Sequence, residues 1–375
     1  MNLILITVAL ASAFIAYVNG ANDVSKGIAT LVGGGITSYR RAIVWGALWT
    51  TAGGIAAFGF AGAMVATFGK GLLTSGVVPT LPAAVATILG AALWIALATR
   101  FGLPVSTTHA IVGSIAGVTA IAYGLSGMKW SIFGAKIALP LVLSPIVSLI
   151  ITSAVLQKLK GLSSLNDCLC AETVSVPLAL ATAPAGLAIE NAIPSVRVVG
   201  CKQGNRGREH PDAVPITLNQ LHWLTSASTS FARGLNDAPK MVALLLAAAT
   251  ISGYAIGSSF FAYLLIALGI LSGSLTAGLR VTTALAEKIT PMNHLQGFVA
   301  NLITASLVGP GAALGLPMST THVASAAIIG VGLQQHGKIN WQTVRNMVLA
   351  WVVTLPGAAM LGIVSYELLL AAGMG

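Results

Sequence analysis

Two carboxylates stand where an ionised group is hardest to keep. Asp23 lies in NGANDVSKG (residues 19–27) and Asp237 in GLNDAPKM (234–241), both inside apolar stretches. Each Asp follows an Asn, Asn22 or Asn236, and precedes a Lys, Lys26 or Lys240, at the same spacing. A carboxylate, an amide oxygen and backbone carbonyls are the donor set of a hard cation such as Na⁺. A second phrase follows each copy, GLPVSTTHA at 102–110 and GLPMSTTHV at 315–323. Gly102 stops a helix, Pro104 presets φ, and Ser106, Thr107 and Thr108 are capping types, so a new helix begins there; Ser319, Thr320 and Thr321 repeat the pattern. The free N–H groups and positive dipole end of such a helix bind anions. The chain therefore says its chemistry twice, once for a cation and once for an anion.

These phrases have to be held in a bilayer. Of the 375 residues, 7% are charged and 56% hydrophobic, and the mean hydropathy is +0.89. No soluble domain of this length carries such a surface. Apolar runs near 3–18, 42–66, 81–99, 104–123, 131–157, 217–232, 242–277, 292–308, 317–334 and 343–372 are drawn as spans, with 242–277 holding more than one. Period-two alternation is absent, which excludes a barrel. The net charge of +10 comes from Lys and Arg scattered over short loops, the mark of cytoplasmic loops rather than of a nucleic-acid partner. Residues 1–18 lack a basic leader and run into the first phrase, so they are read as the first helix.

In chain order, Gly20 with Asn22 and Asp23 predicts a break in the first helix, and Gly234 with Asn236 and Asp237 the same in the second half. Arg40 and Arg41 mark a cytoplasmic turn, which leaves the amino terminus outside. Residues 1–157 form one repeat, 158–215 a linker and 216–375 the second repeat. The linker carries Cys168, Cys170 and Cys201 in polar stretches, an odd count read as a surface cluster rather than a metal site or a disulfide. Its apolar piece 174–189 is a short span, an interfacial helix or a re-entrant segment. In the second repeat GLRVTTALAEKITPMNH reads as a polar connection. An odd number of crossings per half turns the halves opposite ways. The fold expected is an all-α polytopic membrane protein, two inverted-topology repeats with broken or re-entrant helices meeting at the midplane, the architecture of secondary transporters.

The paired GANDV and GLNDA phrases, the paired GLPxSTTH phrases and GLRVTTALAEKITPM together resemble the inorganic phosphate transporter (PiT) family, over both halves but not the linker. That resemblance implies a phosphate or sulfate substrate, an inverted-repeat core and a homodimer. Within it the chain is expected to import phosphate with a cation gradient, Na⁺ ahead of H⁺, with sulfate permease as the alternative. Compact loops point to a bacterial inner (plasma) membrane, with lipid as its solvent and no nucleic acid as partner.

Asn22, Ser106, Thr107, Thr108, Asn236, Ser319, Thr320 and Thr321 are the candidate anion ligands. Asp23 and Asp237, with Asn22 and Asn236, are the candidate Na⁺ ligands, because an ionised Asp repels phosphate and a cation beside the anion cancels charge at low dielectric. Lys26 and Lys240 either neutralise their Asp or touch the anion. His109 and His322 serve as proton relays or as packing groups. The Ser and Thr residues also have a plain reading as helix caps. A channel would use similar carbonyls and hydroxyls without needing opposed half-sites. For an enzyme the chain lacks H-E-x-x-H, G-x-S-x-G and any zinc spacing, so no cofactor is expected beyond the coupling ion.

Overall fold

A computed structural model describes residues 3–159, 168–177, 192–200, 214–253, 259–335 and 338–374. Its longer helices, numbered in chain order, are α1 (Leu3–Asp23), α2 (Ser25–Gly33), α3 (Tyr39–Phe60), α4 (Leu81–Arg100), α5 (Thr107–Tyr123) and α6 (Leu139–Lys158) in the first half. The second half holds α7 (Leu218–Ile251), α8 (Ser259–Ala277), α9 (Leu279–Glu287), α10 (His294–Ala313), α11 (Thr320–Leu333) and α12 (Trp341–Leu369). Six helical stretches among the described residues are long and apolar enough to cross a membrane. α7 is longer than most of these, and its middle carries Arg233, Asn236, Asp237 and Lys240. α9 replaces the polar connection expected at 279–287; Val281, Thr282, Leu285 and Ala286 form its buried face, a helical repeat hidden by the intervening polar residues.

The helix breaks are not where the Asn-Asp pairs predicted them. Only Val24 separates α1 from α2; its φ of −54° and ψ of −31° are helical, and its N–H bonds the Gly20 carbonyl at 3.2 Å. α7 passes through Asn236 and Asp237 uninterrupted and absorbs Pro239, merging the runs at 217–232 and the start of 242–277 into one helix. The physical reason is where the amides go. Asn22 Nδ2 donates outward to Thr99 Oγ1 (2.9 Å) and the Leu103 carbonyl (3.0 Å), not to its own helix. Gly20 serves contact instead of unwinding, since a Cβ there would strike the backbone of Ile270 and Ser274. The real interruptions are the GLP segments, where Gly102 (φ +68°) and Gly315 (φ +71°) end α4 and α10 and lead into the starts of α5 and α11.

Each half packs through the other. Tyr17 meets Gly273, Gly20 meets Ser274, and Val24 meets Gly278, so α1 and α8 run side by side in the same direction. Likewise Ser230 meets Gly46, Gly234 meets Thr50, and Ala238 meets Gly54, which makes α7 parallel to α3. A short turn at Gly34–Ser38 folds α3 back on α2. The equivalent helices α1 and α7 therefore run in opposite directions, as an inverted repeat requires. The pattern recurs outside this pair: Gly113 and Gly117 of α5 meet Leu355 and Ala359 of α12, while Val323 and Gly330 of α11 meet Ser148 and Ser153 of α6. Small residues let these backbones approach closely, the packing mode available where lipid removes the hydrophobic drive. The boundaries at 157 and 216 divide the sequence, not the space.

Basic residues gather at one end of the bundle. Tyr39 hydrogen-bonds Glu287, Asn340 N–H bonds the Ile289 carbonyl at 2.9 Å, and Leu159 packs near Ile289 and Ile339. Arg40, Arg41, Lys158, Lys288 and Lys338 thus gather at one end, which fits an inside face. The linker adds an antiparallel sheet in the order β2-β1-β3, made of β1 (Cys168–Pro177), β2 (Ala192–Gly200) and β3 (Val214–Thr217). β3 runs directly into Thr217, which caps α7 in a reciprocal pair with Gln220. The apolar piece 174–189 therefore starts as strand, where valines at alternate positions suit a pleat better than a helix; its remainder from 178 lies outside the described residues, as does Cys201.

Candidate functional site

The starts of α5 and α11 are carried into the centre, against the middles of α1 and α7. Since Gly113 and Gly117 lie beside Leu355 and Ala359, the register puts Thr107 about 12 Å in from the first residue of α12, at roughly 1.5 Å per residue. Ser106 Oγ accepts from His109 N–H and Ser319 Oγ from His322 N–H, both at 3.2 Å, so these two serines are caps. Val105 N–H bonds Asn22 Oδ1 (3.2 Å) and Met318 N–H bonds Asn236 Oδ1 (3.3 Å). Each Asn thereby clamps the broken segment of its own half onto the unbroken helix.

Around Asp23 the first half is tightly knit. Lys26 Nζ lies 2.5 Å from Asp23 Oδ1, 2.9 Å from Asn22 Oδ1 and 2.8 Å from the Asn22 carbonyl. Thr107 donates its hydroxyl to Asp23 Oδ2 at 3.1 Å. Asn19 Nδ2 reaches Thr107 Oγ1 (2.9 Å), Asp23 Oδ2 (3.2 Å) and, across the centre, Asp237 Oδ2 (3.3 Å). One amide thus ties both carboxylates together.

The second half repeats the parts more loosely. Lys240 Nζ is 3.4 Å from Asp237 Oδ1, 2.7 Å from Thr108 Oγ1 and 3.3 Å from the Met318 carbonyl. Asn236 Nδ2 donates to Asp237 Oδ1 (2.8 Å) and the Met318 carbonyl (2.9 Å), with Thr320 Oγ1 at 3.4 Å. Thr108 donates to the Met318 carbonyl and Thr321 to the Val105 carbonyl, so the two broken segments are cross-linked to each other. His109 and His322 stack with ring centres 4.5 Å apart, and His322 rests on Trp351 at 4.1 Å.

All the predicted site residues except His109, at the rim, are 5% exposed or less, which seals the centre from both sides of the membrane. Two of the residues that matter here were not predicted. Asn19 and Arg233 occupy the same place in the repeated phrase, each four residues before its Asp. Arg233 is 1% exposed, and none of its three guanidinium nitrogens has a hydrogen-bond partner among the described residues. Its charge interacts with those of Asp23 and Asp237. Asn19 Oδ1 is likewise a buried acceptor without a donor. An arginine inside an apolar stretch was the visible signal for the first, and the repeat itself for the second. Among the described residues no cluster of His, Cys, Asp and Glu is suited to a transition metal.

Buried carboxylates, ammonium groups, a bare guanidinium and two helix starts in one sealed centre can hold a small oxyanion together with compensating cations. Comparison with known proteins agrees. The model of the phosphate transporter family matches residues 19–362. A Thermococcus kodakarensis protein named "Putative phosphate permease TK2061" is 30% identical over 393 residues, covering 96% of each chain. "Inorganic phosphate transporter 2-1, chloroplastic" of Arabidopsis thaliana is 27% identical over 94% of this chain and 70% of its own length. A solved structure named "The sodium-dependent phosphate transporter" superposes with a TM-score of 0.78 and 25% identity, over 99% of this chain and all of that one.

Proposed function

The chain belongs to the phosphate transporter family, and from that membership we propose that it carries inorganic phosphate across the membrane with a cation gradient, opening its sealed centre to one side and then the other. The observation that carries this reading is the mismatch at the two equivalent positions of the repeat, where Arg233 has unpartnered donors and Asn19 Oδ1 is an unpartnered acceptor. A guanidinium fork matches two phosphate oxygens. Dihydrogen phosphate also keeps protons to donate, and sulfate at neutral pH has none, so a buried acceptor favours phosphate. Of the acceptors expected for that proton, Asn22 and Asn236 already accept from Val105, Lys26 and Met318, and Asp23 and Asp237 from Lys26, Thr107, Asn19 and Asn236, which moves the role to Asn19 Oδ1.

In this reading Thr107, Thr320 and the N–H groups at the starts of α5 and α11 complete the anion seat, with positive charge at Asp23 and Asp237 beside it. Each oxygen of the anion exchanges water for a fixed donor, while adjacent positive charge offsets its burial. The inner membrane as location and a homodimer as assembly form part of the same proposal; crosslinking in native membranes reads the second. Uptake of radiolabelled phosphate and sulfate into proteoliposomes, with Na⁺ and pH gradients imposed separately, tests the whole. Saturable phosphate uptake, poorly inhibited by equimolar sulfate, is expected. Sulfate inhibiting as well as phosphate itself would reverse the substrate, and unsaturable flux independent of any cation gradient would make the protein a channel.

A further inference from the structure

The two lysines occupy unusual seats. Lys26 Nζ is held by a carboxylate oxygen, an amide oxygen and a backbone carbonyl, at 2.5, 2.9 and 2.8 Å. Lys240 Nζ is held by a carboxylate oxygen, a hydroxyl oxygen and a backbone carbonyl, at 3.4, 2.7 and 3.3 Å. Both sets are all oxygen, both share one carboxylate and one main-chain carbonyl, and both side chains are buried to 1% exposure or less. These are the ligand types that a hard monovalent cation requires. The positions at Asp23 and Asp237 that would receive Na⁺ are filled, in both halves, by the chain's own ammonium groups.

Charge leads to the same place. Asp23 and Asp237 are the acids of the centre, while Lys26, Lys240 and Arg233 are its bases, so the centre carries one net positive charge with the imidazoles neutral. Lys26 faces Asp23, Asp237, Arg233 and His322; Lys240 faces Asp237, Asp23 and His109. A monovalent anion entering this centre meets compensation already in place. Adding a free Na⁺ at each Asp would put two further cations against three fixed ones in a space without solvent, where like charges repel strongly.

We infer that Lys26 and Lys240 are tethered cations that stand in for mobile Na⁺ at Asp23 and Asp237, so that this chain loads its anion without Na⁺ at those positions. This deepens the anion-transport reading above and rests on it only for the transported species. The relative named as sodium-dependent leaves its own ion use to that protein.

The test measures the thermal unfolding midpoint of purified protein in NaCl and in choline chloride of equal ionic strength, for the native chain, Lys26→Asn and Lys240→Asn. The native midpoint is expected to be the same in both salts. Each variant removes an ammonium group and leaves its oxygen ligands, so each is expected to gain a saturable midpoint rise in Na⁺ alone. Phosphate uptake follows: equal initial rates with Na⁺ or choline for the native chain, and recovery in Na⁺ only for the variants. A saturable Na⁺ shift in the native protein overturns the inference, and so does failure of both variants to respond to Na⁺. Should Lys26→Asn not fold, Lys240→Asn and the native measurement still decide it. If no anion moves under any gradient, the transport reading fails alone, because the midpoints report on the lysine seats without transport.

Discussion

The two half-sites share a sequence pattern and differ in tension. Around Asp23 the donors are engaged: Lys26 at 2.5 Å, Thr107 at 3.1 Å and Asn19 Nδ2 at 3.2 Å converge on one carboxylate, while Asn19 Oδ1 has no donor among the described residues. Around Asp237 the lysine stands off at 3.4 Å, Thr320 donates to none of the described residues, and Arg233 hydrogen-bonds none of them. Duplication supplied two copies of one device, and the copies have diverged into a closed half that holds the framework and an open half with unused donors. The lesson is that motif symmetry does not imply equal surroundings; the unpartnered donors lie in the second half, where the proposed reading places more of the anion's contacts.

The hardest blow to that contrast is expected from the carboxylates. Asp23→Asn strands Lys26 in a dry interior, and losing one partner of a buried pair costs about 3–5 kcal/mol. Transport should be abolished and the unfolding midpoint should fall. Asp237→Asn should also abolish transport with a smaller loss of stability, because Lys240 keeps its 2.7 Å bond to Thr108. Equal destabilisation by the two variants, read in parallel melts, would erase the difference between the halves.

Arg233→Gln and Asn19→Gln probe the same contrast at equivalent positions. Removing a buried charge partner from a bound anion costs about 2–5 kcal/mol, so Arg233→Gln is expected to weaken phosphate binding roughly 30-fold or more while stability holds or rises. Asn19→Gln should instead lower stability first, since its amide ties Thr107 and both carboxylates. Calorimetric phosphate titration beside thermal melts separates the two. An Arg233 variant that binds phosphate normally would sink the assignment of the open half to recognition.

Hydroxyl removal is the finer probe. Thr320→Val takes away a hydroxyl whose proton is uncommitted, and Thr107→Val one that already serves Asp23. A hydrogen bond to a charged group is worth about 1.5–3 kcal/mol. Thr320→Val is expected to raise the half-saturation concentration for phosphate with little change in folding, whereas Thr107→Val should change both. Unchanged phosphate affinity in Thr320→Val would leave that hydroxyl with no more than a packing role.

Much of this was legible in the residues, for identifiable reasons. Asp23 and Asp237 were visible because a carboxylate in an apolar run has few structural excuses. The starts of α5 and α11 were visible because Gly, Pro and Ser-Thr-Thr each act locally on the backbone, through φ, a missing donor and a cap. The continuity of α1 into α2 and of α7 was not. Gly20 and Asn22 have local meanings that favour a break, and tertiary contacts with Ile270, Ser274 and Thr99 override them. Arg233 was hidden for the opposite reason: its meaning is what it lacks, and an absent partner shows only in three dimensions. The strand of the linker was masked by prolines and cysteines that speak equally for loops.

The smallest expected effect distinguishes caps from ligands within the helix starts. Ser106 and Ser319 accept from His109 and His322 N–H at the same 3.2 Å, so here the two halves are alike in kind and in distance. Their oxygens accept from the helix, so in the proposed reading they position the following threonines rather than contact the anion. Ser106→Ala and Ser319→Ala should each lower stability by about 1 kcal/mol, the usual worth of an N-cap, and do so equally. Phosphate affinity should shift less than in Thr320→Val. Replacing Ser by Thr or Asp at the same positions restores a capping oxygen and should restore the midpoint, although Asp also sets a negative charge against the anion seat. Ser319→Thr with recovered stability and normal uptake, beside Ser319→Asp with recovered stability and poor uptake, is the outcome that a capping serine next to an anion predicts. If alanine at either position lowered affinity as strongly as the threonine variant, the serines would belong among the ligands, and the anion seat would extend evenly over both halves.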